Sequence, residues 1–238
     1  SLEWLGQQPF SLAKNNNELI ACYAAPAEQE TIAWIRLFAC SAMSPRKSLF
    51  SDFFQNALQY YNPNVQQVAA LGLETWFTNL LEKSGFEHFQ DIIVLQWDQD
   101  STYKMFSTDS AFFLRQMESE DIPVVSALDM LCFPPLWQLT PSGMNAAYLA
   151  SGYATIIEID QEIIAYQMTT DSLSSAHLAR LAVHPHYRGA NVGATLLTDL
   201  FSHYKKLDVH KITVNTQHNN FSSQSLYKKM GFQLMEES

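Results

Sequence analysis

The chain has 238 residues, of which 47% are hydrophobic and 16% are charged. This composition is typical of globular proteins and excludes fibrous and disordered classes. The formal net charge of −10 argues against nucleic acid as a partner, because non-specific binding to phosphates requires a basic surface. An acidic chain is compatible with a cationic or amine-bearing substrate.

The three cysteines, Cys22, Cys40 and Cys132, include no CxxC pair. Their odd number and wide spacing argue against a disulfide framework and a structural zinc site, which favours a cytoplasmic protein. The seven histidines show no metal-ligand spacing, so no metal is expected. No apolar run approaches the ~20 residues of a membrane-spanning helix, and no signal peptide is predicted.

The two halves of the chain repeat one pattern. Four segments of the first half recur in the same order in the second. They pair NNELIACYAA (16–25) with DQEIIAYQMT (160–169), Arg36-Leu37 with Arg180-Leu181, LFSDFF (49–54) with LLTDLF (196–201), and LLEKSGF (80–86) with LYKKMGF (226–232). Since four ordered matches rarely arise by chance, we predict two copies of one architecture, at 1–108 and 109–238, joined through residues 98–109.

Periodicity in the second half predicts a mixed sheet with helices on both faces. In chain order we predict a strand at 111–117, a helix at 119–133, a short helix within 134–152, a hairpin at 154–170 turning at Asp160-Gln161, a strand at 176–183, a helix at 189–206, a strand at 211–216 and a helix at 222–230. The fold class is α/β (α+β), and the repeat extends it to two mixed sheets flanked by helices.

The segment LARLAVHPHYRGANVGATLL (178–197) carries the most specific signal. An apolar strand passes through a turn at His184-Pro185 into a loop with Arg188, Gly189 and Gly193, which opens a helix. The first N–H groups of a helix lack intrahelical partners, and glycines let an anion approach the backbone, so such a loop can hold a pyrophosphate. The alternative is a tight strand–helix turn that binds nothing.

The segment resembles the acyl-CoA loop of the GNAT superfamily, whose pattern is Arg/Gln-x-x-Gly-x-Gly/Ala after a strand. Here the pattern reads Arg188-Gly189-Ala190-Asn191-Val192-Gly193, with Asn191 where the family usually has Gly. Asn tolerates positive φ better than other non-glycine residues, so the loop is expected to survive. Weaker CoA binding is the other consequence that Asn191 allows.

A second motif follows at the distance found in the family. The segment NNFSSQSLYKKMGF (219–232) resembles Asn-x-x-Ala-x-x-Leu-Tyr-x-x-x-Gly-Phe, with Ser223 in place of Ala. By this resemblance Asn220 contacts the pantetheine arm and Tyr227 protonates the departing CoA thiolate. From the residues alone, Asn220 is equally a helix N-cap or loop residue and Tyr227 a core aromatic.

The resemblance implies an N-acetyltransferase that uses acetyl-CoA. The thioester arm would lie where the strand at 178–183 splays from the strand at 211–216, with its carbonyl polarised by backbone N–H groups near Ala182 and Val183. The implied CoA-binding residues are Leu181, Ala182, Val183, Arg188, Gly189, Ala190, Asn191, Val192, Gly193, Ala194 and Asn220. Phe133 and Trp137 are expected to line the pocket of the acceptor, a small amine or a peptide amine.

The sequence assigns no general base. Arg180 stands where some family members have Glu. The remaining candidates are His177, Glu158 and Asp171, while His184 is expected to shape the turn. Cys132 is expected to be a buried, inert thiol rather than a nucleophile. A non-catalytic acyl-CoA-binding sensor or scaffold therefore stays open as the alternative function.

The first half keeps the apolar skeleton of the repeat and lacks its chemistry. Leu81 occupies the position of Tyr227, Glu74 occupies that of Asn220, and the loop at 41–48 contains no glycine. We therefore predict a degenerate copy and a single CoA site per chain.

Strands completing the two sheets are predicted less directly. The first half is expected to form a sheet from its apolar segments at 18–23, 32–40 and 91–97. Few residues follow Phe232, so the last strand of the second copy is absent, supplied by the first half, or supplied by another chain, as in a homodimer.

Overall fold

A computed structural model describes residues 6–102, 104–106, 112–172 and 174–235. The chain divides into two compact units, Ser1–Phe89 and Gln90–Ser238. Both units combine strands with helices, so the mixed α/β class is confirmed.

Residues 6–89, the described part of the first unit, form two small sheets and two helices. Its elements are β1 (Phe10–Asn15), β2 (Glu18–Ala24), β3 (Ile32–Ile35), β4 (Leu37–Cys40), α1 (Arg46–Tyr60), β5 (Gln67–Ala70) and α2 (Thr75–Lys83). Strands β1, β2 and β4 form an antiparallel sheet, and β3 pairs with β5 in parallel. The core is aromatic, with Tyr23 stacked on Phe53 at 5.8 Å between ring centroids. The apolar segment 32–40 is thus two short strands, interrupted at Arg36.

The second unit is built around one seven-stranded sheet. Its elements are β6 (Ile92–Asp98), β7 (Phe113–Gln116), α3 (Ile122–Cys132), α4 (Pro141–Ala150), β8 (Tyr153–Ile159), β9 (Glu162–Asp171), β10 (Ser175–Val183), α5 (Val192–Lys206), β11 (Lys211–Gln217), α6 (Phe221–Lys229) and β12 (Gln233–Leu234). The strand order is β12-β6-β11-β10-β9-β8-β7. Every helix and strand predicted for 111–230 is present, within a few residues of its predicted bounds.

The first hairpin of each unit has the same kind of turn. The turn between β1 and β2 consists of Asn16 (φ 47°) and Asn17 (φ 67°), and the turn between β8 and β9 consists of Asp160 (φ 49°) and Gln161 (φ 68°). Two successive residues with positive φ form the tight turn that matches the twist of a hairpin. The hairpin is followed in both units by a strand region, a helix, a strand paired in parallel and a second helix.

Strand β6 lies in the second sheet, which corrects the expectation that residues 91–97 complete the first. It pairs antiparallel with β11 along its whole length, from Ile92↔Gln217 to Asp98↔Lys211. Its other edge pairs with β12 through Gln96↔Gln233 and Leu95↔Leu234. Of the three ways left open for completing the second sheet, the structure therefore uses a strand from the preceding part of the chain.

Packing explains why β6 belongs to the second sheet. Leu95 and Trp97 are fully buried there, and the Trp97 ring stacks on Phe201 of α5 with centroids 4.3 Å apart. Every second side chain of this strand is large and apolar, and burying these side chains is most favourable where a helix offers an apolar face to cover them. The chain accordingly divides between Phe89 and Gln90, whereas the sequence placed the boundary between residues 108 and 109.

Two apolar layers cover the faces of the second sheet. Helices α5 and α6 cover one face with a cluster that includes Leu197, Phe201 and Tyr227. Helices α3 and α4 contribute Val125, Leu128 and Met144 to a second cluster with Tyr166 of β9. Within the described residues, no helix is long and apolar enough to cross a membrane.

Candidate active site

A gap opens between the central strands β10 and β11. The two strands pair in parallel only from Ser175↔Lys211 to Leu178↔Val214. Beyond that point β10 continues beside β9 as far as Val183, and β11 continues beside β6 as far as Gln217. The splay predicted from the sequence is therefore present, and it exposes one edge of β10.

The exposed edge of β10 offers backbone N–H groups to the gap. The amide of His184 donates to the carbonyl of Ile164 in β9 at 2.8 Å. Amide directions alternate along a strand, so the N–H groups of Leu181 and Val183 turn to the opposite edge, toward the gap, and that of Ala182 turns to β9. The N–H groups that face the gap are thus those of Leu181 and Val183, and Ala182 also lines the space.

The loop between β10 and α5 has the backbone that its sequence predicted. A single 3₁₀ turn at Pro185–Tyr187 leads to Gly189 at φ 84° and Asn191 at φ 60°. Asn191 is left-handed in the structure, as expected for the residue that replaces glycine, and it precedes the first residue of α5. The N–H groups of the first turn of α5 have no intrahelical acceptor and point out of the helix end.

Gly193 lies where α5 packs closely against α6 and β10. A Cβ at this position would meet Leu226 Cδ2 at 3.0 Å and Val183 Cγ2 at 3.5 Å. The glycine therefore serves the packing of α5 against β10 and α6 as well as access to the helix end.

The gap and the loop form one cleft of about 540 Å³. Its walls include Leu181, Ala182, Val183, Arg188, Gly189, Asn191, Val192, Gly193, Ala194, Asn220, Phe133 and Trp137. Ala190 is exposed in the same loop. The sequence-predicted residues from three separate segments are thus brought together around one space.

The charged side chains described in the cleft walls are cationic. Arg188 donates through Nε to the Val183 carbonyl at 3.2 Å, and Lys229 donates through Nζ to Asn191 Oδ1 at 3.1 Å. In a chain of net charge −10, two cations beside a helix N-terminus favour an anionic ligand. Lys229 was not singled out from the sequence, because nothing local distinguishes it from its neighbour Lys228.

Asn220 has the capping role that was left open for it. Its Oδ1 accepts from the amide of Ser223 at 3.2 Å, which caps α6, and its Nδ2 donates to Gln217 Oε1 at 3.3 Å. The residue also forms part of the cleft wall. Capping fixes the orientation of the Asn220 side chain, so its role as a helix N-cap is compatible with a place in a binding site.

Tyr227 is packed behind the cleft wall. Its side chain is 5% exposed, and its ring lies 5.4 Å from that of Phe232. Burial raises the pKa of its hydroxyl well above the usual range, so Tyr227 is protonated at neutral pH. On the cleft side of α6, the wall at this level is formed by Ser223 and Leu226.

A buried ion pair holds the segment that carries Phe133 and Trp137. Arg180 of β10 donates through Nε to Asp129 Oδ1 at 2.7 Å and through Nη2 to Asp129 Oδ2 at 2.8 Å. The same Nη2 donates to the Trp137 carbonyl at 2.5 Å, and the guanidinium lies 3.8 Å above the Phe133 ring. Asp129 is fully buried and also accepts from the Tyr166 hydroxyl.

The ion pair gives Arg180 a structural contact with the Phe133–Trp137 segment of the cleft wall. Sequence reasoning missed Asp129 and Tyr166. A single Asp within the apolar helix IPVVSALDMLC was the available signal, because a buried carboxylate requires a cation.

The candidate bases lie outside the residues described as lining the cleft. His177 Nδ1 contacts Thr213 Oγ1 at 2.9 Å, and burial lowers its pKa. Glu158 is paired with Arg115, Asp171 accepts from the Tyr204 hydroxyl, and His184 accepts from the His186 amide as a turn cap.

Cys132 does line the cleft, and its thiol lies 3.4 Å from the Val183 carbonyl. Burial raises the pKa of this thiol, in keeping with the inert role expected for it. Among the described residues, no three His, Cys, Asp or Glu side chains are grouped to hold a metal ion.

Comparison with known proteins agrees with this geometry. The sequence model of the acetyltransferase (GNAT) family matches residues 122–232, which include the loop after β10 and the whole of α6. The second unit of the chain therefore contains an acetyltransferase domain of the GNAT family.

Individual proteins are similar to this chain in sequence or in fold. A Bacillus subtilis (strain 168) protein, provisionally named a ribosomal protein bS18-alanine N-acetyltransferase, is 29% identical over 122 residues, 50% of this chain and 80% of that protein. The GCN5-related N-acetyltransferase from Sphaerobacter thermophilus has a TM-score of 0.70 at 13% identity, covering 98% of this chain and 80% of that one. A tandem GNAT protein from the clavulanic acid biosynthesis pathway has a TM-score of 0.68 at 12% identity, covering 96% and 81%. The likeness in fold thus includes both units.

Proposed function

We propose that the second unit binds acetyl-CoA in the cleft between β10 and β11 and transfers the acetyl group to an amine. The observation that carries this proposal is the splay of the two strands beside a glycine loop. It leaves strand amides of β10 free for a thioester carbonyl and the N-terminus of α5 free for a pyrophosphate. The two features lie in one cleft, as a ligand with an anionic end and a thioester end requires.

The proposed reaction is a direct attack on the thioester. A neutral amine adds to the carbonyl carbon, and the developing oxyanion is stabilised by the N–H group of Val183 or Leu181. The carbon–sulfur bond then breaks, the CoA thiolate takes a proton from Tyr227, and the amine nitrogen loses a proton to solvent, from which the Tyr227 phenolate regains one. We keep Tyr227 in this role because its phenol carries a proton at neutral pH and it follows Leu226, which lines the cleft, on α6.

The acceptor that we propose is the amine of a peptide N-terminus. The Bacillus subtilis relative is named as an N-acetyltransferase for an alanine of ribosomal protein bS18, and a peptide N-terminus is where an alanine offers an amine. Phe133 and Trp137 give the acceptor side of the cleft an apolar wall, which suits a small apolar side chain next to the reacting amine. A small amine is the other acceptor class to be tested.

A non-catalytic acyl-CoA-binding protein is the second candidate function. Two observations favour it: the candidate bases lie away from the described cleft walls, and Tyr227 lies behind one of them. In that case the cleft would bind acetyl-CoA without releasing its thiol.

One assay separates these functions. Purified protein is mixed with acetyl-CoA and with either peptides that begin with alanine or a panel of small amines, and free CoA thiol and acetylated product are measured. Product from the peptides supports the proposal, and product from small amines alone would replace the acceptor class. Tight binding with no product from any acceptor would support the sensor, and absence of binding would contradict both.

For the first unit we propose a degenerate copy with no CoA site. Leu81 is buried in its apolar core, and no proton donor stands at that position. Glu74 precedes α2, where its carboxylate opposes an anionic ligand.

A further inference from the structure

Lys229 is held at the rim of the cleft by two contacts. Its ammonium donates to Asn191 Oδ1 at 3.1 Å and lies 4.2 Å from the centre of the Phe106 ring. Phe106 is itself anchored, because its amide donates to Thr198 Oγ1 of α5 at 3.2 Å. A lysine side chain is otherwise one of the most mobile groups on a protein surface, so these contacts limit where its charge can be.

The partners of Lys229 leave its charge available. An amide oxygen and an aromatic face are both neutral, whereas a carboxylate would cancel the charge. An ammonium has three protons, and Asn191 accepts one of them. The group therefore keeps donors and a full positive charge beside the first turn of α5.

Asn191 combines two functions at one position. Its left-handed backbone, with φ 60°, makes the turn that usually requires glycine. Its side chain, which glycine lacks, is the acceptor that brings Lys229 to the loop. A non-glycine residue at positive φ strains the backbone, but its side chain here holds the Lys229 ammonium beside the N-terminus of α5.

We propose that Lys229 is a CoA-binding residue that contacts the pyrophosphate, and that Asn191 positions it. Arg188 approaches the same loop from the β10 side, so the pyrophosphate would meet a cation on each side and helix N–H groups between them. This inference rests on the proposed binding of acetyl-CoA in the cleft.

The adjacent Lys228 supplies a matched control. It lies on the same exposed end of α6, carries the same charge and is not among the residues lining the cleft. Calorimetry is used to measure acetyl-CoA affinity for the wild-type chain and for Lys229→Met, Lys228→Met and Lys229→Arg. Because a hydrogen bond to a charged group contributes well over the energy of a neutral one, Lys229→Met should weaken binding about tenfold.

The controls define what the loss means. Lys228→Met should bind as the wild type does, and Lys229→Arg should recover most of the affinity because it restores the charge. Lys229→Met should also reduce the salt dependence of binding, a change that a packing defect would not produce. Equal affinities for Lys229→Met and Lys228→Met would overturn the inference while leaving the proposed function intact, and a wild-type chain that does not bind acetyl-CoA would refute the proposed function itself.

A second ligand distinguishes the pyrophosphate from the 3′-phosphate. With 3′-dephospho-acetyl-CoA, the proposal expects Lys229→Met to cause the same fold loss as with acetyl-CoA. If the loss disappears, Lys229 contacts the 3′-phosphate and the assignment to the pyrophosphate is wrong.

The role of Asn191 is tested by a double-mutant cycle. Asn191→Gly keeps the left-handed turn and removes the acceptor of Lys229. It should weaken acetyl-CoA binding in the wild-type background and have no further effect when Lys229 is already Met. Additive losses would show that Asn191 acts independently of Lys229.

Discussion

Tyr227 combines burial with the chemistry proposed for it. A phenol that is 5% exposed among Trp97, Phe201 and Phe232 has a hydroxyl that resists ionisation. Such a group holds its proton at neutral pH, and its raised pKa makes it a weaker acid than an exposed tyrosine, so transfer of this proton to a thiolate must be followed by reprotonation of the phenolate from solvent. Its position behind Leu226 means that its ring contributes to stability whether or not its hydroxyl takes part in the reaction.

Replacing Tyr227 with Phe separates these contributions. The ring is kept, so folding and acetyl-CoA affinity should change little, while the loss of the acid should lower kcat by about 10²–10⁴-fold. Steady-state kinetics with the best acceptor from the amine and peptide panel measures this. Tyr153→Phe is the control, because its hydroxyl bonds to Asp199 away from the cleft; a Tyr227→Phe enzyme as active as this control would leave Tyr227 as a core aromatic only.

At Gly193, both the size and the charge of a substituted side chain should affect acetyl-CoA binding. Gly193→Asp places a carboxylate at the helix N-terminus where the pyrophosphate would bind, and acetyl-CoA affinity should fall below detection. Gly193→Ala introduces the same Cβ against the flexible end of Leu226 without the charge, so it should lose only part of the affinity. Calorimetry compares the two, with thermal unfolding to verify the fold; equal affinities for Asp and Ala would show that no anion binds at this helix end.

At the scale of the elements, the ion pair of Arg180 and Asp129 joins β10 to α3 and to the segment before α4. Both side chains are largely buried, at 14% and 0% exposure. Removing one partner of such a pair leaves the other charge unpaired in a low-dielectric interior. This lowers the stability far more than losing a surface ion pair does. The pair thereby joins β10, which lines one side of the cleft, to the Phe133–Trp137 segment of its wall.

Asp129→Asn should therefore lower the free energy of unfolding by about 3–5 kcal/mol. The matched control is Glu28→Gln, which breaks the partly exposed pair with Arg36 in the first unit and should cost less than about 1 kcal/mol. Urea unfolding measures both. A cost for Asp129→Asn no greater than that of the control would mean that the pair contributes nothing to holding the two sides of the cleft.

At the scale of the whole molecule, β6 decides where the chain can be divided. A fragment that begins at Gln90 keeps β6, whereas one that begins at residue 109 loses Leu95 and Trp97 from the core and leaves β11 with an open edge. Truncating one large core side chain typically costs about 2–5 kcal/mol, so losing two costs about 4–10 kcal/mol, which is comparable with the whole stability of a typical domain. Expression and circular dichroism should find the fragment 90–238 folded and 109–238 aggregated or unfolded; a folded 109–238 would show that β6 is dispensable.

The number of CoA sites is the second property of the whole chain. We expect titration with acetyl-CoA to give one site per chain, because the first unit has Leu81 and Glu74 where the second has Tyr227 and Asn220. Gly193→Asp in the full chain should abolish all binding. A stoichiometry near two, or residual binding in that variant, would mean that the first unit is not degenerate.

The local features of this protein could be read from its sequence. The hairpin turns, the left-handed Asn191, the glycine loop and the helix that begins after Asn220 all arise from residues within a few positions of one another. Their conformations follow from backbone sterics, capping and periodicity, which act over the same short range. The resemblance to the GNAT family rested on two such contiguous segments, and the family match falls on both of them.

Contacts between distant segments required the tertiary structure. The apolar pattern of β6 made it a strand and said nothing about its partner, because strand pairing depends on which sheet edge is free and which helix face can cover it. In the same way, Asp129 pairs with Arg180 only when α3 packs against β10. Lys229, rather than Lys228, contacts Asn191 only when α6 packs beside the start of α5. Charge and hydrophobicity determine that a buried carboxylate or an open strand edge must find a partner, and the packing of the whole chain determines which one it finds.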